Sequence, residues 1–294
     1  MKYLLFIILT AFHFALAAEP ADMTSVRVNA LRTKFSALEQ TLRQNQFKRP
    51  LVLDSQETPN TLKGDIYAIL DFSLNTVSSE LNNPAHWCDV MLMHNNTKYC
   101  HATANTSETL LTVYIGKKTP EELRRVAHID FNYHVVAITP EYFQIKLNAK
   151  KGPMGTSDYL IFLEAVELSH HQTFIHLTYS YSMSFSGKLA IMTYLNTIGR
   201  GKVGFTMTDK QSNGQLDYID GVRGLVERNT MRYYLAIDSF LGAAKAPTEA
   251  AQLEKRLQSW FSAVEQYPRQ LHEMDRNDYM TMKRAENIRQ QSVH

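Results

Sequence analysis

The chain has 294 residues, 44% of them hydrophobic, and 31 Lys and Arg against 29 Asp and Glu give it a net charge of +2. That balance excludes a dedicated nucleic-acid binder, which carries a strong basic excess. The length suits one large domain or two small ones, and there is no internal repeat or low-complexity segment.

Residues 1–18 carry the three parts of a secretory signal peptide in order: Lys2, an apolar run from Tyr3 to Leu16, and the small-x-small Ala15-Leu16-Ala17. The mature chain is expected to start near Ala18 or Glu19, in the periplasm or outside the cell. A retained anchor is the alternative, but a spanning helix needs about 20 apolar residues and this run is shorter. No later segment is long and apolar enough to span a bilayer, so no integral span is expected in the mature chain.

A helix is predicted over 23–45, because Val28, Leu31, Phe35, Leu38 and Leu42 recur at steps of three and four. The stretch 46–61, with two prolines and few apolar residues, reads as a linker. Lys63–Asp71 reads as a strand. Ser73 then caps a short helix to Asn82, with Leu74, Val77 and Leu81 on one face. Asn83-Pro84 ends it, and a turn from Ala85 to Asp89 carries Trp87 and Cys88. Cys88 and Cys100 are the two cysteines. In an oxidising compartment such a close pair forms a disulfide, and loop entropy gives it about 3 kcal/mol.

Strands follow at Leu110–Ile115, Phe131–Ile138, Tyr142–Ala149, Asp158–Leu168 and Thr173–Phe185. The last alternates Ile175, Leu177, Tyr179, Tyr181, Met183 and Phe185 with His176, Thr178, Ser180, Ser182 and Ser184, as a half-buried antiparallel strand requires. Lys188–Ile198 reads as a helix. A glycine segment, Gly199–Gly204, and a short strand, Val203–Thr208, come next, then a turn at Asn213-Gly214. A long helix spans Val222–Leu241, and one or two more occupy 248–290, with a stripe of Leu253, Leu257, Trp260, Val264 and Tyr267. The charged C-terminus is expected to fray.

This order resembles the START-like, polyketide-cyclase-like helix-grip superfamily over roughly residues 62–242. The resemblance is carried by the strand Lys63–Asp71, the helix Ser73–Asn82 with its Asn83-Pro84-Ala85-His86-Trp87 exit, the strands to Phe185, and the helix Val222–Leu241. It implies an α+β fold in which a curved antiparallel sheet wraps the long helix, leaving a cavity between them. Residues 19–61 and 243–294 are then helical additions at either end. Members commonly bind lipids, sterols or polyketides, and a minority are enzymes.

Candidate ligand contacts are Tyr179, Tyr181, Met183, Asn229, Arg232 and Tyr233. The tyrosines offer an apolar ring with a polar tip, Arg232 a fork for an anionic head group, and Asn229 a polar group within an apolar stripe. The alternative for Arg223, Glu227, Arg228 and Arg232 is a solvated helix face. Gly199-Arg200-Gly201-Lys202-Val203-Gly204 fits G-x-G-x-x-G but follows a helix, which excludes a dinucleotide fingerprint. His128, His134, His170, His171 and His176 lack the spacing of a metal site. Asp65, Asp158, Glu164 and Glu227 are acid-base candidates, and no motif pairs any two.

The expected function is binding of an apolar or amphipathic, lipid-like small molecule in the cavity between sheet and long helix, with no cofactor. One alternative is a cyclase- or hydrolase-like enzyme using a desolvated carboxylate–His set inside the cavity. The other is an envelope interaction module, its cavity filled and its terminal helices presenting the Leu253–Tyr267 stripe to a protein partner.

Overall fold

A computed structural model describes residues 21–104, 108–197, 201–210 and 216–292. The leader segment 1–18 and the Asn213-Gly214 turn lie outside them. The chain begins with α1 (Ala21–Arg43) and continues as β1 (Leu51–Glu57), β2 (Thr61–Leu70), α2 (Leu74–Leu81), α3 (Pro84–Leu92), β3 (Thr97–Ala104) and β4 (Thr109–Ile115). Then come β5 (Ala127–Ile138), β6 (Tyr142–Lys151), β7 (Thr156–Ser169), β8 (Gln172–Met183) and α4 (Phe185–Thr197). A small hairpin, β9 (Met207–Lys210) and β10 (Leu216–Tyr218), leads into α5 (Gly221–Ala243), α6 (Glu249–Val264), α7 (Pro268–Leu271) and α8 (Arg276–Ser292).

Eight strands form one antiparallel sheet in the order β1-β2-β8-β7-β6-β5-β4-β3. Its two faces have separate tasks. Ile175, Leu177, Tyr179, Tyr181 and Met183 of β8 join the main core with Val226, Ile237 and Phe240 of α5. Phe174 on the opposite face joins a second cluster with Val28, Leu31 and Leu42 of α1. Strand alternation thus puts α5 on one face and α1 on the other. The long helix can come close to β2 because residue 64 is glycine, and a Cβ there would collide with the Thr230 hydroxyl.

Ser73 caps α2 by accepting from Thr76 N, and Asn83 caps α3, with Pro84 at its first turn. Trp87 Nε1 and Tyr133 OH both donate to Leu81 O, at 2.9 Å each, pinning the end of α2. Cys88 and Cys100 are bonded, tying α3 to β3.

Several expectations need correction. The supposed linker 46–61 contains β1, whose mixed polar sequence suits an edge strand with one covered face. The turn at Ala85–Asp89 is a full helix, α3, because Pro84 begins a helix as readily as it ends one. Strand β3 was not among the expected strands, and Phe185, expected to end the last strand, starts α4. The short strand placed at Val203–Thr208 begins later, at Met207, and pairs with β10.

The C-terminus does not fray before Ser292. Helix α8 lies against β3 and buries Lys283 and Glu286. Lys98 of β3 and Lys283 both meet the Glu286 carboxylate, at 2.9 and 2.7 Å, and all three side chains are 3% exposed or less. Lys98 also donates to Asn95 O, and Lys283 to His94 O and Thr97 O. Burial pulls the Lys283 ammonium down to about 8, against the attraction of Glu286. The stripe Leu257, Trp260 and Val264 is likewise buried in the common core.

Glu286→Gln would leave two ammonium groups buried without their counter-ion. The expected loss is about 3–5 kcal/mol in urea unfolding, and an unchanged midpoint would show that the triad does not hold α8 in place.

Candidate ligand-binding site

The long helix brings most of the sequence-predicted contacts to one place. Tyr233 of α5 faces Tyr179 of β8, with ring centroids 5.1 Å apart, and Asn229 hydrogen-bonds Tyr179. Tyr159 of β7 stacks on Tyr181 at 5.3 Å and meets the edge of Phe131 at 6.2 Å. Met183 is buried in the same core at the end of β8. Burial raises the hydroxyls of Tyr159, Tyr179, Tyr181 and Tyr233 above their ordinary value, so they stay neutral donors.

Three positions of α5 on this side are less covered than their neighbours. Leu225, Asn229 and Tyr233, four residues apart, are only partly buried, while Val226, Thr230 and Ile237 beside them are fully buried. They form a partly exposed seam along α5, next to the Tyr179 ring.

At the side of the seam lies a basic cluster. Arg232 Nη2 and Lys118 Nζ each hold the Glu273 carboxylate at 2.6 Å. Lys202 adds a further positive charge that acts on Glu273. Burial would raise the Glu273 carboxyl, but Arg232 and Lys118 hold it below the usual range. Burial lowers Lys118 and Lys202. Three cations share one carboxylate, and Lys118 remains 35% exposed, so the cluster is reachable from solvent and favours anions. His94 flanks it, 4.3 Å from Tyr233, with Nε2 unpaired among the described residues. Burial, with Arg232 and Lys283 nearby, pushes it down to about 3, which keeps the ring neutral.

The solvated-face reading of α5 fails. Glu227, Arg228 and Arg232 are buried. Glu227 accepts from Ser55 Oγ at 2.6 Å, from Phe205 N at 2.5 Å, and from Thr206 N and Oγ1 at 2.9 and 2.6 Å. Arg223 donates to the same Ser55. Arg228 donates to Val203 O. These groups fasten residues 203–206 across the helix. An open groove of about 780 Å³, lined by Phe205, Tyr218, Tyr267 and Arg269 among others, shares no lining residue with the seam.

Two of the acid-base candidates do pair, through a histidine. His176 Nε2 lies 2.9 Å from Asp65 Oδ1 and Nδ1 lies 2.9 Å from Glu164 Oε1. Thr178 and Lys63 also bind Asp65, Tyr142 donates to Glu164, and Arg27 of α1 reaches Gln144 beside Tyr142. Tyr67 stacks on the imidazole at 4.2 Å. Burial opposes the charged ring, yet the two carboxylates lift His176 above its ordinary value. The same partners hold Asp65 low against its own burial. This network is on the α1 face of the sheet, away from the seam, so it is not the desolvated cavity set an enzyme reading requires. Asp158 is exposed and accepts from Ser157. Among the described residues no cluster suits a metal.

Tyr159, Lys118, His94 and Glu273 were not singled out by sequence. Tyr159 shares the alternation of Ile161 and Leu163 and was legible from it. The other three come from distant turns and carry no local signal.

The deciding feature is the strand run β2-β8-β7-β6-β5-β4-β3 with α2 and α3 between its first two chain segments and α5 against one face. The fold is a helix grip. The sequence matches no family model and no curated protein. Among solved structures the helix grip here is similar to an aromatase/cyclase from a Streptomyces, at 8% identity over 69% of this chain and 96% of that one, TM-score 0.34. It is also similar to human StAR-related lipid transfer protein 5, at 9% identity over 74% and 95%, TM-score 0.34. A truncated norcoclaurine synthase from Thalictrum flavum matches at 10% over 49% and 91%, TM-score 0.32. The fold assignment stands on this chain's own strand order.

A raised His176 adds stability that is complete below its unfolded pKa of about 6.5 and is lost as pH rises through the folded value. A depressed Asp65 adds stability above its unfolded pKa of about 3.9, lost as pH falls through the folded value. The melting temperature of His176→Gln should therefore fall furthest below wild type near about pH 5.5 and less at alkaline pH. A deficit that grows with pH would contradict the charged-histidine network.

Proposed function

We propose that this chain is an exported binding protein for an amphipathic small molecule, with an apolar body and an anionic group. The apolar body lies along the seam between Tyr159, Tyr179, Tyr181 and Tyr233. The anionic group meets Arg232, Lys118 and Lys202, and Asn229 orients polar atoms between the two. The observation that carries this reading is the incompletely covered line Leu225, Asn229 and Tyr233, running beside the basic cluster. An apolar gap with a few convergent polar groups is the usual form of a small-molecule site. Export rests on the sequence of residues 1–18 and places the protein in the periplasm or outside the cell.

The test begins with native mass spectrometry of protein purified after export, followed by organic extraction. A mature N-terminus near Ala18 or Glu19 and a co-purifying amphipathic molecule, depleted in Tyr233→Ala, are expected. A long-chain carboxylic acid and the matching alcohol then probe the head group. Lys118→Met should weaken binding of the acid by roughly tenfold and leave the alcohol unchanged. A clean apo mass with no uptake of either probe would overturn the binding reading, and an unprocessed N-terminus the export reading.

A further inference from the structure

Helix α4 is apolar on both sides. Its inner side, Ile191 and Leu195, is buried in the main core with Tyr181 and Met183. Its outer side exposes Phe185 at 86%, Leu189 at 59% and Met192 at 45%, a stripe at steps of four and three. The other exposed positions described on it, Ser186, Ala190 and Thr193, are uncharged.

A second apolar protrusion is locked beside it. In the turn between β6 and β7, Met154 adopts φ 56° and its side chain is 57% exposed. Ser184 N donates to Gly155 O at 3.0 Å, and a Cβ at Gly187 would press on the carbonyls of Met154 and Gly155. The start of α4 and the 153–155 turn are therefore one unit, and Met154 extends the stripe. Lys150 and Lys151 lead into this turn, exposed and in no ion pair among the described residues. Lys188 on α4 pairs with Glu57, and the nearby Asp158 accepts from Ser157.

Four exposed residues make a patch smaller than the about 800 Å² per partner that a stable protein interface buries. A surface of this size, apolar at its centre and flanked by lysines, suits shallow insertion into an anionic bilayer, where lysine stems extend to the phosphates. No described helix is long and apolar enough to cross a membrane.

We infer that the outer face of α4, with Met154, docks on the surface of an anionic lipid bilayer, with Phe185, Leu189 and Met192 entering the headgroup boundary and Lys150 and Lys151 meeting lipid phosphates. This is independent of whether the seam holds a ligand.

The test is flotation of protein purified after export, its N-terminus checked by mass, with vesicles of phosphatidylcholine alone or with a third phosphatidylglycerol. Binding to the anionic vesicles is expected. Phe185→Ser with Leu189→Glu should weaken it by about tenfold or more, and Lys150→Glu with Lys151→Glu should remove its dependence on anionic lipid. These positions are exposed, so circular dichroism and melting temperature should match wild type; single Leu189→Ser replaces the pair if they do not. No binding to either vesicle, binding unaffected by the apolar substitutions, or a concentration-dependent dimer abolished by Leu189→Glu without vesicle binding would each overturn the inference.

Discussion

The carboxylate of Glu227 accepts four hydrogen bonds in a fully buried position, from strand β1 and from residues 205 and 206. A buried charge is tolerated only when so satisfied, and removing its donors would leave it costly. The constraint fixes α5 along its length. One end is stapled to the sheet margin, Thr230 sits over Gly64, and Arg232 is held by Glu273. Held at these points, the helix leaves the line Leu225, Asn229 and Tyr233 partly exposed.

The two faces of the sheet solve different problems with the same strands. The α5 face collects aromatic rings. The α1 face collects a small apolar cluster and a charged relay from Arg27 through Tyr142, Glu164 and His176 to Asp65 and Lys63. Because side chains alternate, a one-residue slip of β8 would exchange these sets and place His176 against α5. The charged relay therefore opposes mispairing as well as contributing stability.

Much of the fold was legible because its signals are local. The alternation of β8, the cap at Ser73 and the periodicity of α5 each fall within a dozen residues. The misses have a common cause. Strand β1 is rich in polar residues because it borders the sheet, and Lys98 makes β3 look like a loop until Glu286, far along the chain, gives that lysine a partner. The Asp65–His176–Glu164 network depends on strand register, which no short window of sequence contains. Tyr179, Tyr181 and Tyr233 could be named because each lies on a periodic apolar face. Glu273, Lys118 and His94 sit in turns, where nothing repeats.

Strand β3 ends the sheet, and Arg289 of α8 donates to the carbonyl of Lys98 on that strand. Helix α8 thus covers the border of the sheet and supplies the counter-ion of a lysine buried there. With α8 undocked, the β3 edge would be unshielded and open to pairing with another such chain. Docking of α8, as well as formation of the sheet, therefore guards this edge against pairing with another chain.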